Sequence, residues 1–387
     1  MSKNVYLSYL ENYKIEDVED SLNSAFYNLN LFSVVKPKMK VLVKVDVNSA
    51  CVPDMAETTN PAVVRAVVNL LTNLGAICTV VDSPYKKYNV ENLDNIYLTT
   101  GMLEVANQTK CTLNRNLTSF VKEIPNGKML KSVYLLDVLN QYDAIVNVGK
   151  IKIKENFGYM GACSNLFGFV PGEMKTTICN RLNRVEDYEN MLLDIYSVVQ
   201  NKLLVNVLDG VVTLEAGDSP RMLSCLAVSE NALNLDATIL DILNISPKNS
   251  IIKVATEREL YSAQNSYKVL GEKIEKFRIT DFLIGKAELN SFLNGKPKIN
   301  VDKNQKYVHI NGKVCKGCEI CSKICPTNAI VMKYDKNGEL FAHINYNKCI
   351  YCFKCSTACP YSVVEIVEPL KYKKLIKEIT KYNENKK

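Results

Sequence analysis

Eight of the chain's 14 cysteines lie between positions 315 and 359, and their spacing repeats. The first run is Cys315-x2-Cys318-x2-Cys321-x3-Cys325-Pro326, and the second is Cys349-x2-Cys352-x2-Cys355-x3-Cys359-Pro360, at an offset of 34 residues. A disulfide framework is disfavoured because the N-terminal MSKNVYLSYLENYK has neither an apolar core nor a small-residue cleavage site. Structural zinc takes two separated cysteine pairs, not three thiols at spacing three and a fourth before proline. The pattern fits paired [4Fe–4S] clusters. Three cysteines at successive x2 intervals wrap one turn of chain around three iron corners. The fourth leads away and reaches the other cluster. Cys315, Cys318, Cys321 and Cys359 are therefore expected to hold cluster 1, and Cys349, Cys352, Cys355 and Cys325 cluster 2. The other six cysteines are scattered over the first 225 residues and read as small packed side chains, Cys163 and Cys179 included.

The elements around the repeat suit that chemistry. Ala329–Tyr334 and Glu339–Ile344 alternate as strands about the turn Asp335-Lys336-Asn337-Gly338. The segment 305–370 resembles a bacterial-type two-cluster ferredoxin, which implies low-potential electron transfer rather than a purely structural role. Tyr351 and Tyr361 lie beside ligands and are expected to shield them from water. His309 and His343, the only histidines, read as surface residues on strands of this module.

Residues 1–300 alternate apolar runs with helical patterns. Strands are expected at Val41–Val45, Ile77–Val81, Ala144–Val148 and Leu203–Leu208. Helices are expected at Ala62–Leu74, opened by Pro61 and closed by Gly75, and near 186–200 and 232–243. The fold class is α/β, a parallel or mixed sheet with helices on both faces, joined by a linker at 286–304 to a small α+β ferredoxin-like module. Open sheets of this kind bind ligands at their carboxyl strand ends. Polar residues collect there: Lys44-x-Asp46-x-Asn48, Asp82-Ser83-Pro84, Lys150-Ile151-Lys152-Ile153-Lys154, Asn165-x-x-Gly168-x-x-Pro171-Gly172-x-x-Lys175, Asp209-Gly210 and Glu215-x-Gly217. None matches the phosphate loop or the dinucleotide fingerprint. An Asp after a strand, such as Asp82, also serves as an ordinary turn or helix cap.

Several of these stretches carry a resemblance. Thr59-Asn60-Pro61-Ala62-Val63-Val64-Arg65, Asp82-Ser83-Pro84, Lys150-Ile151-Lys152, Asn165-Leu166-Phe167-Gly168-Phe169-Val170-Pro171-Gly172, Asp209-Gly210 and Asn234-Leu235-Asp236-Ala237 resemble the family called domain of unknown function 362, over roughly residues 38–260. Its members often carry the same two-cluster module at the C-terminus, and their activity is not generally established. This chain departs from the family pattern. Ile153-Lys154 replaces Thr-His after Lys152, Ser164 replaces a Lys, and Ile178-Cys179 stand where a later histidine is usual. Any metal or proton chemistry of those histidines is altered here. Lys154 supplies charge but no near-neutral acid–base at its ordinary pKa.

The composition is that of a soluble globular chain of two or three domains. It has 387 residues, 47% hydrophobic and 23% charged, with no apolar run long enough to span a membrane. The formal charge of +7 is concentrated toward the C-terminus. Residues 371–387 hold seven Lys and two Glu, a basic amphipathic helix or tail, while 305–370 hold eight Lys and five acids. The remaining body is near neutral, which speaks against a nucleic-acid partner. The reading is a cytoplasmic iron–sulfur oxidoreductase whose two [4Fe–4S] clusters exchange electrons with a site in the body. Lys152, Lys175, Asp82 and Glu215 are its candidate catalytic residues, and Lys44, Asn165, Lys154 and Asp236 its candidate substrate-binding residues. A soluble redox protein and an anionic small molecule are the expected partners. The alternative is a ferredoxin-type carrier whose body is a non-catalytic docking module.

Overall fold

The computed structural model describes residues 4–283 and 307–367, apart from 86–87, 155–156, 180–181, 183, 263–266, 313, 326, 335–337, 347–348 and 350–352. The expected linker, the basic tail, most of the 335–338 turn, Tyr351 and Cys352 lie outside the described residues. The chain divides into two compact units, Met1–Leu293 and Asn294–Lys387.

The first unit has eleven described strands: β1 (Val5–Tyr9), β2 (Lys40–Val45), β3 (Ile77–Val81), β4 (Thr112–Leu113), β5 (Ser119–Glu123), β6 (Ser132–Leu136), β7 (Ala144–Lys154), β8 (Gly158–Met160), β9 (Leu203–Glu215), β10 (Ser219–Ser229) and β11 (Val269–Gly271). Nine of them form one mixed sheet in the order β11-β1-β10-β9-β7-β2-β3-β4, with β8 on β7, while β5 and β6 pair separately. The run β9-β7-β2-β3-β4 is parallel. β10 runs antiparallel to β9, and β1 antiparallel to β10.

Nine described helices accompany it: α1 (Ile15–Asn28), α2 (Pro61–Asn73), α3 (Val90–Thr99), α4 (Met102–Gln108), α5 (Ala162–Asn165), α6 (Gly172–Cys179), α7 (Val185–Val199), α8 (Ala232–Ile242) and α9 (Ile251–Glu257). They cover both faces, so the parallel strands are apolar on both sides. Alternation along β2 shows it. Val41, Val43 and Val45 pack with Val18, Leu22, Val64 and Val67 of α1 and α2, whereas Leu42 packs with Leu192, Ile195 and Leu235 of α7 and α8. α2 starts where local chemistry dictates: the Asn60 side chain accepts the Ala62 N–H at 2.9 Å, Pro61 occupies the first turn, and Gly75 follows the helix at φ 88°.

Two strands run further than their apolar cores predict. β7 continues from Ala144–Val148 through the lysine-rich segment to Lys154, and β9 continues through Asp209-Gly210 to Glu215. The polar residues that read as strand ends are strand interior, because each charged side chain finds a partner, as shown below.

The second unit contains β12 (Tyr307–Ile310), β13 (Ile330–Tyr334), β14 (Leu340–Ile344), β15 (Val364–Val367), α10 (Ile320–Ile324) and α11 (Lys354–Ala358). β12 pairs antiparallel with β15, and β13 with β14. The sequence repeat is also a structural one. Ser322 Oγ donates to the Ile330 carbonyl at 2.9 Å, and Ser356 Oγ to the Val364 carbonyl at 2.8 Å. Glu319 and Phe353, which precede the two helices, both have positive φ (61° and 58°). His309 and His343 sit on strands as expected but are half-buried rather than on the surface, since short strands over so small a core cover part of every side chain.

Candidate functional site

The strand order of the first unit reverses within its sheet. From β2 it moves outward to β3 and β4, then returns to β7 on the other side of β2. The carboxyl ends of β2 and β7 thus flank the point where strand order reverses, the usual ligand position in open α/β sheets.

Strand alternation distributes the charged residues there. Lys44, on the α5–α7 face of β2, makes an ion pair with Asp82 at 2.9 Å and donates to Asn165 Oδ1 at 2.9 Å and to the Val45 carbonyl. Asp82 also accepts the backbone N–H groups of Val47 and Ser83, each at 2.7 Å. Asn165 donates to Asn147 Oδ1 at 2.8 Å. Gly168 lies against this pair so closely that a Cβ would overlap both Asp82 Oδ1 and Lys44 Nζ. The lysines of β7 point to the opposite face. Lys150 meets Asp209 at 2.9 Å and the Tyr13 hydroxyl at 2.9 Å. Lys152 meets Asp46 at 2.9 Å and the Glu57 carbonyl at 2.7 Å. Lys154 bridges Glu57 and Asp218. Burial lowers the Lys150 pKa from its ordinary value, and Asp209 opposes that. For Lys154 burial also favours the neutral amine, but the bonds to Asp218 and Glu57 outweigh it and the pKa rises.

Lys175 differs from all of these. It is 1% exposed on the inner side of α6 and donates to the Ser83 carbonyl. Its ammonium lies 5.7 Å from the Tyr85 ring centre and 5.6 Å from that of Phe167, and it makes no ion pair among the described residues. Burial pulls its pKa down to about 8. One turn on, Cys179 Sγ lies 2.9 Å from the Tyr85 hydroxyl, and burial raises that thiol.

Two candidates are held apart from this arrangement by their own partners. Asp236 accepts the N–H groups of Ala162 and Cys163 at the start of α5 and the Tyr159 hydroxyl, so its carboxylate orients that helix. Glu215 is bound by Arg221 at 2.8 Å near the β9–β10 turn. Sequence reasoning did not single out Tyr13, Glu57 or Tyr85. They come from loops whose local sequence carries no signal, and only the fold brings them to the strand ends.

In the second unit, Cys315, Cys318, Cys321 and Cys359 line one small cavity, walled by apolar residues such as Ile310, Ala342 and Val364. Three thiols come from the first run and one from the second. Backbone N–H groups point at sulfur: Ala342 to Cys315 at 3.5 Å and Ala329 to Cys325 at 3.2 Å. Such bonds help set the potential of a thiolate-held cluster. Burial would raise the Cys325 thiol, but hydrogen bonds from Thr327, Ala329 and Ile330 bring it below its ordinary value. No disulfide forms among the described cysteines. Four thiols around one apolar space, with N–H donors aimed at sulfur, suit an iron–sulfur cluster. Tyr361 borders the same cavity but is 53% exposed, so it screens less than the sequence led one to expect. Of the second set, Cys355 belongs to the small core of this unit, and Cys325 and Cys349 are partly buried against it.

Comparison with known families decides the class of the body. The domain of unknown function (DUF362) matches residues 41–241, and a 4Fe-4S dicluster domain matches 314–363. The chain belongs to the DUF362 family. Its C-terminal domain is a metal-binding iron–sulfur module with an electron-transfer role. A thylakoid-associated protein of Synechocystis sp. is 26% identical over 271 residues, covering 67% of this DUF362 chain and 80% of that protein. The lactate racemase apoprotein from Thermoanaerobacterium thermosaccharolyticum matches with TM-score 0.37 and 10% identity. That match covers 62% of this chain and 57% of the racemase. No helix among the described residues is long and apolar enough to cross a membrane.

Proposed function

We propose that the protein is a cytoplasmic iron–sulfur oxidoreductase in which two [4Fe–4S] clusters exchange electrons with an anionic reactant held at the carboxyl strand ends of the α/β body. The observation that carries this reading is the grouping of Cys315, Cys318, Cys321 and Cys359 around one cavity. Cys325, Cys349, Cys352 and Cys355 would hold the second cluster. When bound, the clusters supply single-electron steps at low potential. In the body, Lys44, Asp82 and Asn165 form a fixed polar floor, and Lys175 is the cation left to meet a reactant. Lys152 and Lys154 stiffen the neighbouring edge through Asp46, Glu57 and Asp218. A soluble redox protein would be the electron donor or acceptor.

The second reading, a carrier with a docking body, gains from the same ion pairs, since Lys44, Lys150, Lys152 and Lys154 are already matched by carboxylates and, among the described residues, only Lys175 of the five is not. One experiment separates the two. Anaerobic protein is reduced, freed of reductant and mixed with fractionated small metabolites while visible absorbance reports the clusters. An oxidoreductase is reoxidised by one fraction, and Lys175→Met responds about tenfold more slowly or worse. Reoxidation by no fraction, or equal rates in both proteins, leaves the carrier.

A further inference from the structure

The carboxyl end of β3 holds two buried polar groups with bonding capacity to spare. A lysine ammonium carries three donors, and Lys175 directs one of them to the Ser83 carbonyl. The Ser83 hydroxyl, on the same residue that receives that bond, is buried and has no hydrogen-bond partner among the described residues. A buried hydroxyl without a partner costs free energy that folding alone does not recover. The neighbouring Asp82 accepts from Lys44 and from the N–H groups of Val47 and Ser83, but not from this hydroxyl. Rings flank the ammonium: Tyr85 and Phe167 stand nearly perpendicular at 6.1 Å, and Tyr188 extends the cluster 6.3 Å from Phe167.

We propose that Lys175 Nζ and Ser83 Oγ anchor the carboxylate of a small-molecule ligand, with Tyr85 and Phe167 against its carbon frame. This deepens the reading above, in which the body receives an anionic reactant. One ammonium and one hydroxyl match the single charge and two oxygens of a carboxylate. A phosphate carries more charge and more oxygens and is met by glycine-rich backbone or several cations. Here the charges acting on Lys175 are Asp82, the cation Lys44 that Asp82 already pairs at 2.9 Å, and Asp46. The carboxylate favours the protonated lysine, so the ligand binds best while the amine is charged.

The test uses the full chain with its clusters, kept anaerobic, and follows thermal unfolding as acetate, benzoate or inorganic phosphate is added. A ligand that binds only the folded chain raises the transition temperature in proportion to its affinity. Acetate and benzoate are expected to raise it, benzoate more strongly because of the rings, and phosphate to leave it in place. Ser83→Ala removes no hydrogen bond present in the fold, so it tests the site without threatening it. That variant should bind benzoate about fivefold more weakly or worse, and Lys175→Met should not bind it. Wild-type affinity should also fall as pH rises above 8, a change that Ser83→Ala, which keeps the lysine, should share. Absence of any carboxylate effect, equal effects in wild type and Ser83→Ala, or an equal effect of phosphate overturns the proposal. Benzoate binding without cluster reoxidation by any metabolite would leave this site standing and remove the oxidoreductase reading. Reoxidation with unchanged carboxylate binding in both variants would do the reverse.

Discussion

Lys175 shows how one residue reports its surroundings through proton binding. Its pKa in the fold is about 8, below the ordinary 10.5, because burial penalises the ammonium. Between those two pH values the unfolded chain keeps a proton that the folded chain has released. Stability therefore rises with pH across that window and is lowest below it. The shift corresponds to roughly 3 kcal/mol. Urea unfolding of wild type and Lys175→Met at pH 7, 9 and 10.5 should show the variant more stable at pH 7 and the difference shrinking toward pH 10.5. A difference that does not depend on pH would mean that Lys175 is not held as a strained cation.

Strand β7 sets the energetics at the next scale. Period-two alternation sends Ile151 and Ile153 into one core and Lys150, Lys152 and Lys154 toward the other face, so the strand persists only where each lysine meets an acid. Burial grades those pairs. Lys150 and Asp209 are 1% and 0% exposed, while Asp218 is 73% exposed. Removing Asp209 leaves a buried uncompensated cation, and Asp209→Ala should cost about 3–5 kcal/mol. Asp218→Ala breaks a pair open to water and should cost about 1 kcal/mol or less. Equilibrium urea unfolding of the two variants measures the contrast, and equal costs would show that burial does not grade the pairs.

For the whole chain, the decisive feature is that one cavity draws cysteines from both halves of a repeat. If the ligands cross, Cys315 and Cys359 serve the same cluster. The double variant Cys315→Ser/Cys359→Ser should then keep about four of roughly eight irons per chain, whereas Cys315→Ser/Cys349→Ser should lose nearly all. Iron analysis of anaerobically reconstituted protein reads this directly. Loss of nearly all iron from both double variants would instead mean that each run of four closes its own cluster.

The ferredoxin-like module and the α/β class were legible in the sequence because both rest on local periodicity. Thiol spacing fixes which cysteines can share a turn of chain, and apolar runs at period 2 or 3.6 fix strand or helix. The element starts near Lys40, Pro61, Ile77 and Ala144 follow from such signals. The lengths of β7 and β9 did not, because a strand of alternating lysines survives only when distant acids neutralise it: Asp209 lies 59 residues from Lys150, and Asp46 comes from a different strand end. The sheet order decided the rest. It set Lys44 against Asp82, gave Asp236 to the start of α5, and left Lys175 buried on the carbonyl of Ser83, whose hydroxyl has no partner among the described residues. Residue types and their spacing name the groups able to do chemistry. Which of them are already neutralised depends on contacts between residues far apart in the chain, and those exist only once the sheet has closed over them.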